Sequence, residues 1–256
     1  MTIDDKFKLL FSLLYLTIVA NLFSKGKSSD DLIMNKIPPI DKKVSNKLKT
    51  ATFAMGCFWG PDSLFGAAPG VIRTRVGYSG GKKEDPTYHN LDGHTETIQI
   101  DYDQKQISYE QLVKIFWHNH DPTHQNTTQY KAIIFFHDEE QEKIARSSKE
   151  KLQEEYSMKI MTELRLFSKF YMAEDYHQKY HLSRNKKIYR AYQQVYPDMA
   201  EFIDSTAVAR VNGYVSGHGD LKSKEDLKGL GLTDEGKKML YEKWKSSGGE
   251  IICSLD

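Results

Sequence analysis

The chain is predicted to fold as an α+β protein: a mixed β-sheet with packed helices, followed by an irregular C-terminal extension. Three observations predict this. Short β-branched or apolar runs alternate with longer amphipathic ones, and no internal repeat interrupts them. With 39% hydrophobic and 28% charged residues, the 256-residue chain suits a soluble globular body. Beyond residue 198 the isolated glycines and dense charges break the pattern.

The elements follow in order. Lys49 to Met55 is an apolar strand, and it runs into Gly56-Cys57-Phe58-Trp59-Gly60. Pro61 to Phe65 starts a helix, with proline in the first turn and Asp62 near the positive end of the dipole. Ile72 to Tyr78 alternates as a second strand. Gly77 to Gly81 and Asp85 to Tyr88 make a long loop marked by glycine and proline. Glu96 to Asp101 is a third strand. Ser108 and Gln111 form a capping box for a helix to about His118, with Leu112, Ile115 and Phe116 on its apolar face. Lys131 to His137 is a buried strand, Asp138 to about Tyr156 a long helix, and Met161 to Leu166 a fifth strand. Tyr176 to Gln194 is predicted helical, as is Thr233 to Lys245. The order matches a ferredoxin-like two-layer sandwich.

The termini read differently. Leu9 to Phe23 is uncharged and apolar, between Lys6 and Lys8 on one side and Lys25 and Lys27 on the other. It is long for the core of a signal peptide and short for a full span of about 20 residues, so 1–24 reads as a signal peptide or a signal-anchor, with contact to a membrane through 9–23. The compartment is therefore open between the secretory pathway or a membrane, if the segment acts as a signal, and the cytoplasm. Residues 25–48 form a lysine-rich linker, 49–197 the main domain, and 198–256 the extension. Net charge is +1, which gives no argument for nucleic acid.

The chemistry centres on cysteine. There are two, Cys57 and Cys253, which form neither a C-x-x-C pair nor a zinc cluster. Cys57 sits between glycines in a strand-to-helix turn, ahead of two aromatics. That position offers access and a lowered pKa to a nucleophile at the mouth of an apolar pocket. Gly248-Gly249 is a flexible hinge before the tail that carries Cys253, which suits a resolving thiol.

The motifs that accompany Cys57 are Gly77-Tyr78-Ser79-Gly80-Gly81, Pro86-Thr87-Tyr88, Gly93-His94-Thr95-Glu96, Phe116-Trp117, Asn119-His120-Asp121-Pro122, Gln129-Tyr130 and Ala173-Glu174-Asp175-Tyr176-His177-Gln178-Lys179-Tyr180. With the Gly56–Gly60 pentapeptide, this ordered set resembles peptide-methionine sulfoxide reductase, class A, from Ala51 to about Tyr180. The extension with one late cysteine is similar to an animal subgroup of that family. Asp62 stands where the family usually has Glu, and 123–129 lacks an acid that many members carry there.

The resemblance implies a thiol-dependent reduction of methionine S-sulfoxide, peptide-bound or free, in the repair of oxidised proteins. Cys57 would attack the sulfur, and Glu96 would protonate the oxygen with Tyr88 and Tyr130 hydrogen-bonded to it. Phe58 and Trp59 would wall the methyl group. Cys253 would condense with the Cys57 sulfenic acid, and thioredoxin would reduce the disulfide, so no bound cofactor or metal is expected. His94, His120 and His177, with Asp121 and Glu174, have no compact ligand spacing and suit hydrogen bonds that shape the site. Two other readings are a peroxide-reactive redox-sensing thiol protein and a non-catalytic binder of methionine sulfoxide. The first wants a polar pocket, against Phe58 and Trp59. The second has no need of Cys57, Glu96, Tyr88, Tyr130 and Cys253 together.

Overall fold

The alternating runs assemble into one six-stranded sheet. The computed structural model describes residues 32–34, 36–45 and 47–249. The apolar segment 9–23 and Cys253 lie outside the described residues. No described helix is long and apolar enough to cross a membrane. The strands are β1 (Lys49–Met55), β2 (Val71–Ser79), β3 (Thr95–Tyr102), β4 (Ala132–Phe136), β5 (Glu163–Leu166) and β6 (Phe170–Met172). Their order is β5-β4-β1-β3-β2-β6. β4 and β5 run parallel, and the other neighbours are antiparallel, so the sheet is mixed as predicted.

β6 is an addition to the five predicted strands, and it draws part of the expected loop into the sheet. Gly77, Tyr78 and Ser79 pair with Met172, Tyr171 and Phe170. A glycine is required at 77, because a Cβ there would stand 2.2 Å from the Tyr171 carbonyl oxygen.

Helices α1 (Trp59–Ala67), α2 (Tyr109–His118) and α3 (Glu139–Glu155) connect the strands. Ser108 and Gln111 close the predicted capping box on α2, and Asp138 caps α3 by accepting from the Gln141 amide at 2.8 Å. The alternation of β3 divides the two faces of the sheet. Ile98, Ile100 and Tyr102 pack with Phe53 of β1, Leu64 and Phe65 of α1, and Leu112 and Phe116 of α2. Gln99 and Asp101 point the other way, where Arg75 donates to both at 2.8 Å. Glu96 falls in the register of Ile98 and Ile100, opposite Tyr78, so the pleat carries this carboxyl to the helix-covered face.

Beyond β6, the chain forms α4 (Tyr180–Ser183), α5 (Lys186–Val195), α6 (Met199–Asp204), α7 (Thr206–Tyr214) and α8 (Asp234–Ser246). The extension is therefore more helical than its glycines imply. Its Phe202, Val208, Val211, Leu227 and Leu240 share a second core with Leu182, Ile188 and Tyr192. Gly213 acts as a contact surface: a Cβ there would stand 2.6 Å from the Ser63 carbonyl oxygen of α1. Leu32 and Ile33, in the expected linker, are buried in the same core, and Ile33 bridges Leu232. Arg210 of α7 is buried and donates to the carbonyls of Gly66, Ala68 and Val71, which supplies acceptor-pairing charge at the C-terminal end of α1. The helix that follows Cys57 is thus held from behind by the extension.

Candidate active site

β1 ends at Met55, and Gly56 turns the chain with φ of 87°, a conformation that a side chain would strain. Cys57 follows, exposed, two residues before α1 begins. Phe58 is buried with Val76, Tyr78 and Ala173, and Trp59, Tyr88 and Leu91 pack on that cluster. An accessible sulfur thus stands at the rim of an aromatic wall.

Glu96 is 1% exposed. Its Oε2 accepts from the Phe58 amide at 3.1 Å, and its Oε1 accepts from the Gln129 amide nitrogen at 2.8 Å. Burial pushes its pKa up, against the pull of those two donors. Burial also pushes up the Cys57 thiol, and the Glu96 charge adds to this, while the Trp59 amide pulls it down. The lowered pKa expected from the turn is therefore not what the site provides. Partial desolvation of the sulfur, with a carboxylate beside it, outweighs one backbone donor at the start of a helix. The pair of groups favours holding a proton.

Gln129 has a second contact. The same amide nitrogen lies 3.2 Å from the Tyr130 hydroxyl. The 3-10 turn Thr128–Tyr130 that presents both residues is tied to β3 by the Thr95 hydroxyl, which donates to the Thr128 carbonyl at 2.7 Å. A hydrogen bond with Tyr88, together with burial, pushes the Tyr130 hydroxyl up to about 12, so it remains a donor at neutral pH. Tyr88 is placed by its amide, which donates to Glu174 Oε1 at 3.0 Å, and the Tyr78 hydroxyl occupies Oε2 at 2.7 Å. Burial works against the charge on Glu174, but its hydrogen bonds hold its pKa below the usual range.

The structure therefore brings Cys57, Phe58, Trp59, Tyr88, Glu96 and Tyr130 into one locality, drawn from four parts of the chain. The role of Gln129 is not legible in the sequence, although it stands next to Tyr130, and His177 is legible only as a shaping residue. His94 and His120 are used elsewhere: His94 Nδ1 accepts from the Gly81 amide at 3.3 Å, and His120 Nε2 lies 3.0 Å from the Thr162 hydroxyl. Asp62 stands in the first turn of α1, as the sequence predicts. It is fully buried, with Oδ1 accepting from Lys179 Nζ at 2.7 Å and the Thr74 hydroxyl at 2.6 Å.

The sequence model of the peptide methionine sulfoxide reductase family matches residues 49–210, which span every residue of this locality. The chain belongs to that family. It is 40% identical over 209 residues to a peptide methionine sulfoxide reductase of Drosophila melanogaster, covering 80% of this chain and 84% of the relative. It is 46% identical over 145 residues to one from Methanosarcina acetivorans, covering 52% of this chain and 77% of that protein. Among solved structures, the reduced form of Mxr1 from Saccharomyces cerevisiae matches with a TM-score of 0.51 and 30% identity, over 56% of this chain and 88% of that one. Peptide methionine sulfoxide reductases are oxidoreductases, and this chain is accordingly an enzyme that reduces methionine sulfoxide.

Proposed function

We propose that the enzyme reduces the S epimer of methionine sulfoxide, peptide-bound or free, through a sulfenic acid on Cys57. The observation that carries this reading is the buried Glu96, whose raised pKa and position beside Cys57 suit a proton donor. The Cys57 thiolate attacks the sulfoxide sulfur, and the Glu96 proton goes to the oxygen. The sulfur–oxygen bond to methionine breaks, Cys57 keeps the oxygen as a sulfenic acid, and methionine leaves reduced. Tyr88 and Tyr130 donate to the oxygen as charge builds on it. Phe58 and Trp59 receive the methyl group, so an apolar wall on one side and donors on the other favour one hand of the sulfoxide.

Regeneration needs a second thiol. Cys253 attacks the sulfenic acid, releases water and leaves a Cys57–Cys253 disulfide. A dithiol protein of the thioredoxin type then reduces it by exchange. Thiols supply all the electrons of this cycle, and neither a metal nor a bound cofactor takes part.

The test is a single turnover without reductant. The parent protein should release about one methionine per chain, with loss of both free thiols. Cys253→Ser should also release methionine but leave a sulfenic acid that dimedone traps on Cys57. Cys253→Ser should turn over with dithiothreitol and fail with thioredoxin. Dimedone labelling at any residue other than Cys57, or thioredoxin-driven turnover by Cys253→Ser, contradicts the reading.

A further inference from the structure

Trp59 is held on two sides by one short segment. Its indole N–H donates to His177 Nδ1 at 3.3 Å. Its ring stacks on Tyr180, with centroids 3.7 Å apart and planes within 4°. Between these two residues, Lys179 is fastened to the helix that carries Trp59. The Lys179 amide reaches Asp62 Oδ2 at 3.1 Å, and Nζ reaches Oδ1 at 2.7 Å. Asp62 lies three residues after Trp59, on the same side of α1. Gln178 ties the segment to β2, accepting from the Val76 amide at 3.0 Å and donating to its carbonyl at 2.8 Å. The indole is therefore clamped within a closed circuit of contacts.

His177 shows that this arrangement is specific. With Nδ1 accepting, a neutral ring must carry its proton on Nε2. That Nε2 is buried and has no partner among the described residues. Phe58 and Tyr88 rings lie 5.1 and 4.7 Å away, within the aromatic cluster around Phe58. Packing alone would be better served by phenylalanine, which leaves no buried N–H unpaired. Among the described residues, the one hydrogen bond the imidazole contributes is the acceptor for Trp59.

We propose that His177 is a positioning residue that sets the width of the methyl pocket by fixing the Trp59 indole, with Tyr180 as the stacking support. This inference rests on the proposed function, because it takes Trp59 as the wall that meets the methyl group. An indole fixed on two sides cannot retreat from a larger substituent. A free indole can, and selectivity for methyl over ethyl is then lost.

The experiment compares kcat/KM for a peptide with methionine S-sulfoxide and for the same peptide with the ethyl homologue. Both are measured with dithiothreitol in the full chain. A methylene in an apolar pocket is worth about tenfold or more in discrimination, so His177→Phe should lower the methyl-to-ethyl ratio by about tenfold. His177→Asn places an amide oxygen where Nδ1 stood and should restore most of the ratio. Tyr180→Leu, made separately, should lower the ratio in the same direction. Thermal melts of the three variants report folding independently. A ratio unchanged in both His177→Phe and Tyr180→Leu, with the two rates falling together or not at all, overturns the inference while leaving the proposed function intact. A parent inactive toward the methyl sulfoxide overturns both.

Discussion

Glu96→Gln is expected to lower kcat by about 10²–10⁴, the range for losing a general acid, and at the same time to make Cys57 more acidic. The two effects have opposite meanings for a nucleophile, which makes the variant informative. Glutamine keeps the size of the side chain and its oxygen can still accept from the Phe58 amide, a contact of 3.1 Å in the parent. It has no proton to give to a leaving oxygen. It also carries no charge, and the Glu96 charge is one cause of the raised Cys57 pKa. Alkylation by iodoacetamide should therefore be faster in Glu96→Gln than in the parent at pH values between the ionisation of Glu96 and that of Cys57. An active site that only lost its shape would slow both reactions.

The same pair fixes the form of the pH profile. In the proposed mechanism the reactive state holds one proton between Cys57 and Glu96, with the proton on the carboxyl. The rate should therefore rise as pH passes the first step of the pair and fall as it passes the second. Both steps lie above the ordinary values of 4.5 for glutamate and 9.0 for cysteine, because both groups are shifted upward. They belong to the pair rather than to either residue. In Glu96→Gln the acidic limb from the carboxyl should disappear, leaving a single rise with the ionisation of Cys57.

The second large effect is on stability. Asp62 and Lys179 are both completely buried, and their ion pair at 2.7 Å is supported by Thr74 and by Asn212 of α7. Asp62→Asn leaves the Lys179 ammonium without its countercharge and should cost about 3–5 kcal/mol, measured by urea unfolding. The sign of the pH dependence follows from Lys179. Burial holds its folded pKa below the ordinary 10.5, with the Asp62 charge opposing. A lowered pKa means stability that is complete above the unfolded value and is lost as pH falls through the folded one. The deficit of Asp62→Asn should therefore shrink as pH is raised toward 10.5, where the folded lysine has lost its charge. The double variant Asp62→Leu/Lys179→Met should recover most of the loss, since an apolar pair carries no desolvation cost. A deficit that is flat with pH would place the defect in packing instead.

What was legible in the sequence was mostly local. The Ser108–Gln111 capping box, the Asp138 cap and the five longer strands are short-range patterns, and all of them appear in the structure. The ordered motifs from Gly56 to Tyr180 pointed to the family for a similar reason: each is a contiguous string. What escaped was set by long-range packing. Asp62 reads as a residue attracted to a helix dipole, but its partner Lys179 is 117 residues away. Gly213 reads as a breaker in the extension, yet it lies in a helix where a Cβ would strike the Ser63 carbonyl oxygen. Three-residue β6 is too short to show a period of two, and it exists because Gly77 lets it come close. The Cys57 pKa was misjudged because the turn is visible in sequence, whereas the desolvating wall and the carboxylate arrive from β3 and beyond. His177 was legible as a residue whose hydrogen bonds shape the site, but not its partner, since the indole lies 118 residues away.

The central claim is what the Cys57–Glu96 pair does to a sulfoxide. The most direct measurement is turnover of a peptide carrying methionine S-sulfoxide, beside the same peptide with the R epimer, by the full chain with dithiothreitol. Reduction of the S peptide alone, abolished in Cys57→Ser, is the predicted result. Equal reduction of both epimers, or turnover that survives Cys57→Ser, would contradict it.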